Sequence, residues 1–179
     1  AIPNSVVTMG RSAFKGCECL ESMSIPFAGS AKDGIINTHF GYIFGAPDYY
    51  KNYEDYNYNN KDYHMVTPKS LRNVTITGSS KIDSYAFYGC ESLLQISLQD
   101  GPLSVGKYAF AKCTNLRNTD IPESVNSLGS YAFRDCSSLT SITIPEGVTR
   151  IDDCAFYGCS SLTSITIPDS VTRIGTSAF

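Results

Sequence analysis

One short word, Ala-Phe, recurs at a fixed interval and restricts this chain more than any other feature. It stands at Ala86-Phe87, Ala109-Phe110, Ala132-Phe133, Ala155-Phe156 and Ala178-Phe179, each 23 residues after the last, with an earlier copy at Ala13-Phe14. Three residues past each Phe but the last comes a cysteine (Cys17, Cys90, Cys113, Cys136, Cys159), and three further on a leucine (Leu20, Leu93, Leu116, Leu139, Leu162). Several positions varying together at one period define a repeat architecture, in which each unit buries its apolar face only against its neighbours.

Within a unit, Leu-Thr-Ser-Ile-Thr-Ile alternates apolar with small hydroxylated residues, the period of a strand with one buried face. Pro145 and Pro168 end that strand, since proline cannot donate to a ladder. The pairs Val148/Ile151 and Val171/Ile174 predict a short return strand on the opposite side of the coil. About 23 residues per turn leaves too little chain for a crossover helix, so a short helical or 3-10 turn near Ala-Phe is the most helix expected. The fold class is therefore mostly β: a right-handed solenoid with parallel sheet, its strands spaced ~4.8 Å per rung. Leu93, Leu116, Leu139 and Leu162 are expected to form one buried ladder, and Phe87, Phe110, Phe133 and Phe156 another. Thr119 is a defect, because it occupies the place held by Ile142 and Ile165.

The word Ala-Phe-x-x-Cys-x-x-Leu-x-x-Ile-x-Ile-Pro resembles the BspA-like, or Treponema pallidum type, class of leucine-rich repeats over residues 1–26 and 71–179. The resemblance implies a curved leucine-rich-repeat solenoid carried on a large bacterial surface or secreted protein, often an adhesin, with relatives in some parasitic protists. It places the chain at the cell surface or outside the cell. Ala1-Ile2-Pro3 matches the strand end Thr143-Ile144-Pro145, and Phe179 stops in mid-repeat. A single solenoid domain over 1–179, cut at both ends, is thus expected, with end-to-end self-association as a hazard of open edges.

Between Pro26 and Leu71 the repeat lapses for 44 residues. Residues 27–70 read either as one enlarged unit or as a degenerate repeat with an insert, similar to the irregular repeats interspersed in such proteins. Phe40-Gly41-Tyr42-Ile43-Phe44-Gly45 is apolar enough to dock on the solenoid flank. Seven of the twelve tyrosines and both histidines fall between His39 and His64. Tyrosine interleaved with Asn and Asp suits a recognition loop, because Tyr offers large contact area at low entropy cost. Tyr49, Tyr50, Tyr53, Tyr56, Tyr58 and Tyr63 are the binding candidates there. The competing reading is a polar loop whose tyrosines pack back on the scaffold.

Fourteen Lys and Arg against seventeen Asp and Glu give a net charge of -3, which removes the electrostatic case for nucleic acid. No apolar run reaches the ~18 residues of a membrane span, so no membrane insertion by this segment is expected. Neighbouring ladder cysteines lie a rung apart with parallel side chains, a poor match to disulfide geometry, so they are expected to be free thiols that pack as small hydrophobes and donate weakly to a turn carbonyl. Cys19 and Cys154 lie off the ladder and are the candidates for reactive thiols. His39 and His64, with Asp48, Asp55 and Asp62 near in sequence, read as solvated loop residues rather than a metal site. The row Glu123, Glu146, Asp169 approaches the carboxylate spacing of retaining glycosidases, or that of a calcium bridge, as a by-product of the rung. Arg150 and Arg173 stack on a solvated face, Asp152 offsetting one. No nucleophile elbow, phosphate loop or His-Glu-x-x-His motif is present. The chain reads as a non-enzymatic module without cofactor, which binds a protein or glycan on a host or neighbouring cell. Its strand ladder Thr75, Ser97, Asp120, Thr143, Thr166 supplies the further binding candidates Thr143 and Thr166. The alternative is a spacer that extends other domains of a larger surface protein.

Overall fold

The computed structural model describes residues 1–32, 39–45, 67–99, 101 and 104–179. Its strands, in order, are β1 Ser22–Ile25, β2 Asn73–Ile76, β3 Gln95–Leu98, β4 Ser104–Val105, β5 Asn118–Asp120, β6 Ser127–Leu128, β7 Ser141–Thr143, β8 Arg150–Ile151, β9 Ser164–Thr166 and β10 Arg173–Ile174. All strand pairings are parallel. β1, β2, β3 and β5 form one sheet, β7 and β9 continue it as a second, and the return strands β4, β6, β8 and β10 form a third. The expected return strand is therefore real, with Val105, Leu128 and Ile151 buried in one column.

Where a proline ends the strand, as after β5, β7 and β9, it also starts the return. The amides of Val125, Val148 and Val171 donate to the carbonyls of Pro122, Pro145 and Pro168, each at 2.9 to 3.1 Å, which folds the chain back with the valine pointing inward. Between the two sheets the ladders stack. Phe87, Phe110, Phe133, Phe156 and Phe179 lie 5.1 to 5.7 Å apart from centroid to centroid, with interplanar angles of 2° to 21°. Leu93, Leu116 and Leu139 are fully buried, whereas Leu162 in the last rungs is half-buried. Full burial of such a side chain contributes ~1.5 to 3 kcal/mol.

The Ala-Phe turn holds no helix. Its amides do make i to i−3 bonds, such as Ala132 to Gly129 and Cys136 to Phe133. Left-handed residues interrupt the run, however: Tyr85, Tyr108, Tyr131 and Cys154 just before four of the Ala-Phe pairs, and Gly89, Lys112, Asp135 and Gly158 four residues later, all have φ between 53° and 77°. Those reversals aim alternate amides at the next rung, where Phe87, Phe110, Phe133 and Phe156 donate to the carbonyls of Ala109, Ala132, Ala155 and Ala178 at 2.7 to 2.8 Å. Inter-rung bonding keeps these i to i−3 turns from extending into a helix, within the limit the period sets.

The one helix among the described residues is a 3-10 helix, Phe40–Phe44, inside the irregular segment. It docks on the flank as its apolar content predicts. The Phe40 amide donates to the Ala86 carbonyl at 2.7 Å, the bond each repeat Phe makes, and the Phe40 ring sits 5.0 Å from Phe87. Phe44 faces the other way, 6.1 Å from Phe14, while the Phe14 amide donates to Ile43. The helix is thus a wedge between two turns. On the strand side β1 pairs directly with β2 in the register Ser22↔Asn73.

Glycine is required where rungs come closest. A Cβ added at Gly129 would lie 2.7 Å from the Lys107 backbone nitrogen, and one at Gly106 2.5 Å from that of Ser84. Gly129→Ala is expected to lower stability by ~1 to 3 kcal/mol, the range for overpacking, as read by chemical denaturation. Gly10→Ala, where the added carbon meets nothing within 4 Å, is the control.

Candidate functional site

The outward positions of the strands form two columns. One is Asn73, Gln95 and Asn118 on one block with Ser141 and Ser164 on the other. The second is Thr75, Ser97 and Asp120, then Thr143 and Thr166. The first column, Asp120, Thr143 and Thr166 are exposed, and Thr75 and Ser97 half-buried. The structure therefore brings Thr143 and Thr166 side by side in register on a flat polar face, as the alternation predicts. Tyr49, Tyr50, Tyr53, Tyr56, Tyr58 and Tyr63, together with His64, Asp48, Asp55 and Asp62, lie outside the described residues.

Part of the hydroxyl content is structural. Thr163 donates to the Thr140 carbonyl at 3.1 Å and Thr172 to that of Thr149 at 3.2 Å, both one rung back. These Ser and Thr residues flank the face and tie the coil together. Thr143 and Thr166 sit in the strands with their side chains directed away from the core.

A second surface feature was not drawn from the sequence. Tyr85, Tyr108 and Tyr131, the residues before three successive Ala-Phe pairs, stack at 5.0 and 4.5 Å with interplanar angles of 17° and 7°. Lys107 lies 5.5 Å from the Tyr108 centroid, and the Arg134 guanidinium 5.7 Å from Tyr131 and 5.4 Å from Tyr157. The 23-residue recurrence of tyrosine at that position is the signal that reveals it. Tyr85 and Tyr108 are buried in this column, which marks it as packing beneath a cationic fringe.

Two expectations need correction. His39 is buried at 6% exposure, edge-on to Tyr42 at 6.2 Å, because the wedge helix that follows it carries it onto the flank. It is not a solvated loop histidine. Cys17 holds the ladder position in sequence but is exposed. The ladder thiol needs an Ala-Phe turn one rung earlier: Cys113, Cys136 and Cys159 donate to the carbonyls of Phe87, Phe110 and Phe133, each at 3.1 Å. Cys17 stands in the first described rung. Cys90 follows the wedge rather than an Ala-Phe turn and is buried.

All seven cysteines are free. Burial pushes the thiols of Cys90, Cys113 and Cys136 well above their ordinary value, and Cys159 up to about 12. Cys154, beside Tyr131 of the tyrosine column, is half-buried and makes a long contact of 3.7 Å to the Thr176 carbonyl. The acidic row is open: the Glu146 amide lies 3.4 Å from the Glu123 carboxylate at an exposed site. Arg150 and Arg173 pair in register, and Arg150 bonds Asp152 at 2.7 Å. Among the described residues no three His, Cys, Asp or Glu side chains converge as metal ligands, and no helix is long and apolar enough to cross a membrane. An apolar cavity of about 450 Å³ at the last rung is lined by Phe156, Leu162, Ile165 and Phe179, the exposed side of the ladders.

Stacked parallel turns with a polar strand face define a leucine-rich-repeat solenoid. The chain belongs to the BspA type leucine rich repeat region family, matched in six copies over residues 1–32 and 62–179. No curated protein matches it. Among solved structures it is similar to a leucine-rich repeat protein from Bacteroides ovatus, at 26% identity and a TM-score of 0.62, covering 98% of this chain and 38% of that one. One from Eubacterium ventriosum shares the fold at 22% identity and a TM-score of 0.51, covering 63% of this chain and 41% of that one. A leucine rich cell surface protein from Faecalibacterium prausnitzii matches at 36% identity and a TM-score of 0.45, covering 61% of this chain and 36% of that one. The chain thus spans less than half the length of these three relatives.

Thiol reactivity follows from burial. In the native protein at neutral pH, a maleimide is expected to label Cys17 and Cys19 rapidly and Cys90, Cys113 and Cys136 only after unfolding, as read by peptide mass spectrometry. The same thiols make stability fall with alkali. Their folded values exceed the ordinary value of 9.0, so the unfolded chain releases protons first. Stability is fully present below about pH 9 and falls by about 1.4 kcal/mol per pH unit for each buried thiol above it.

Proposed function

We propose that this chain is a non-enzymatic recognition module of a surface or secreted bacterial protein, and that its polar strand face contacts a protein or glycan partner. The observation that carries the reading is the pair of in-register polar columns, with Thr143 and Thr166 exposed on adjacent strands. Repeat scaffolds bind through broad faces of this kind, since stacking fixes the spacing of many weak polar contacts at once. Tyr49, Tyr50, Tyr53, Tyr56, Tyr58 and Tyr63, which the sequence offers as a recognition loop, are the second, aromatic element of the proposal. The surface or secreted setting is what the family resemblance implies, and it forms part of the proposal. The described acidic residues are exposed or lie beside a basic side chain, as Asp83 does with Lys81, Asp135 with Arg134 and Asp152 with Arg150.

The test is a binding screen of the chain against arrays of glycans and extracellular-matrix proteins. Two variants accompany it: Thr143→Lys with Thr166→Lys, and deletion of residues 48–64. Saturable binding weakened about tenfold or more by the lysine pair, a loss of ~1.4 kcal/mol, supports the strand face. Binding lost only on deletion moves recognition to the tyrosines. No binding by the parent chain contradicts the proposal and favours the spacer reading.

A further inference from the structure

We infer that the solenoid carries a hinge between β5 and β7, built around Thr119. The inward position at mid-strand is Val74, Ile96, Thr119, Ile142, Ile165 along the stack. Thr119 is 5% exposed, and its hydroxyl has no hydrogen-bond partner. A buried hydroxyl left unpaired carries the full cost of its desolvation, and removing it without changing shape restores that cost. The one polar side chain of the column thus sits where the interface is weakest.

The backbone shows the same place independently. The strand sheet is continuous from β1 through β5 and then stops; β7 and β9 form a separate pair. The register that would join them, Asn118 with Ser141 and Asp120 with Thr143, forms no ladder pairing. What remains is just outside the strands, where the Thr140 amide donates to the Arg117 carbonyl at 3.3 Å. The equivalent bonds on either side, Arg117 to Leu94 and Thr163 to Thr140, are both 3.0 Å. Opposite this seam the Ala-Phe turn is closed, and the return sheet is joined by a single residue pair. β6 pairs with β8 at Leu128↔Ile151, the Phe110 amide donates to Ala132 at 2.8 Å, and the Phe110 and Phe133 rings stack at 5.1 Å. One face is open while the turn holds and the return sheet keeps one pair, which is the arrangement of a hinge with its pivot at the turn.

The polar face crosses this seam. Opening it changes the distance between Asp120 and Thr143 while leaving the spacing within Thr75–Ser97–Asp120 and within Thr143–Thr166 fixed. Any consequence for binding rests on the strand-face proposal above, but the hinge itself does not.

Hydrogen–deuterium exchange of the chain, read by mass spectrometry, tests it without a ligand. Amides of Ser141–Thr143 are expected to exchange about tenfold faster than those of Ser164–Thr166 and Gln95–Leu98, while Phe110 and Ile151 stay protected. Thr119→Val, which keeps the shape and removes the hydroxyl, is expected to slow exchange at Ser141–Thr143 about tenfold and to raise the unfolding midpoint. Equal protection on both sides of the seam, or joint loss at Phe110 and Ile151, would overturn the hinge. So would a Thr119→Val variant that exchanges at Ser141–Thr143 as fast as the parent.

Discussion

The structure depends on one contact made many times: a side chain packed on its own copy one rung away. Phe on Phe, Leu on Leu and Val on Val require the two copies to share height, direction and rotamer, so a fixed period in sequence becomes a fixed distance in space. No single rung buries enough to outweigh its conformational entropy, since each residue fixed costs ~1 to 2 kcal/mol while an unstacked ring keeps one face in water. The fold is stable because it is repeated.

That demand explains features that are unfavourable in isolation. Tyrosine and cysteine at φ near 60° before each Ala-Phe cost of order 1 to 3 kcal/mol apiece. They persist because the reversal turns the following Phe amide toward the next rung and places the tyrosine rings over one another. The buried thiol has a comparable role. It fills the space of a small hydrophobe and donates to the Phe carbonyl of the rung before, so it works only where such a rung exists, as Cys113, Cys136 and Cys159 show and Cys17 does not.

Much of this was legible from spacing. The ladders, the two strand sides, the free cysteines with their carbonyl partners and the exposed pair Thr143 and Thr166 all follow from a period and an alternation, because both are properties of a single repeat. The misses are properties of contact between repeats. His39 reads as a loop residue until the wedge helix, which borrows the Ala86 carbonyl, carries it onto the flank. The tyrosine column was readable from Tyr85, Tyr108 and Tyr131 and was hidden by the denser cluster from Tyr49 to Tyr63. Thr119 stood out as a defect in its repeat, yet its effect on β5 and β7 appears only when both rungs are seen together.

A scaffold held by nearest neighbours leaves its outward strand positions free of structural duty, which is why the polar face is where recognition is proposed. It also predicts how energy is shared along the stack. The direct measurement is a pair of double-mutant cycles in chemical denaturation, one on Phe110 and Phe133, stacked at 5.1 Å, and one on Phe87 and Phe133, separated by a rung. Using Leu at each site, adjacent rings should couple by about 0.5 to 1.5 kcal/mol, and the separated pair should be additive within about 0.5 kcal/mol. Equal coupling in the two cycles, or none in the adjacent pair, would contradict an account built on rung-to-rung stacking.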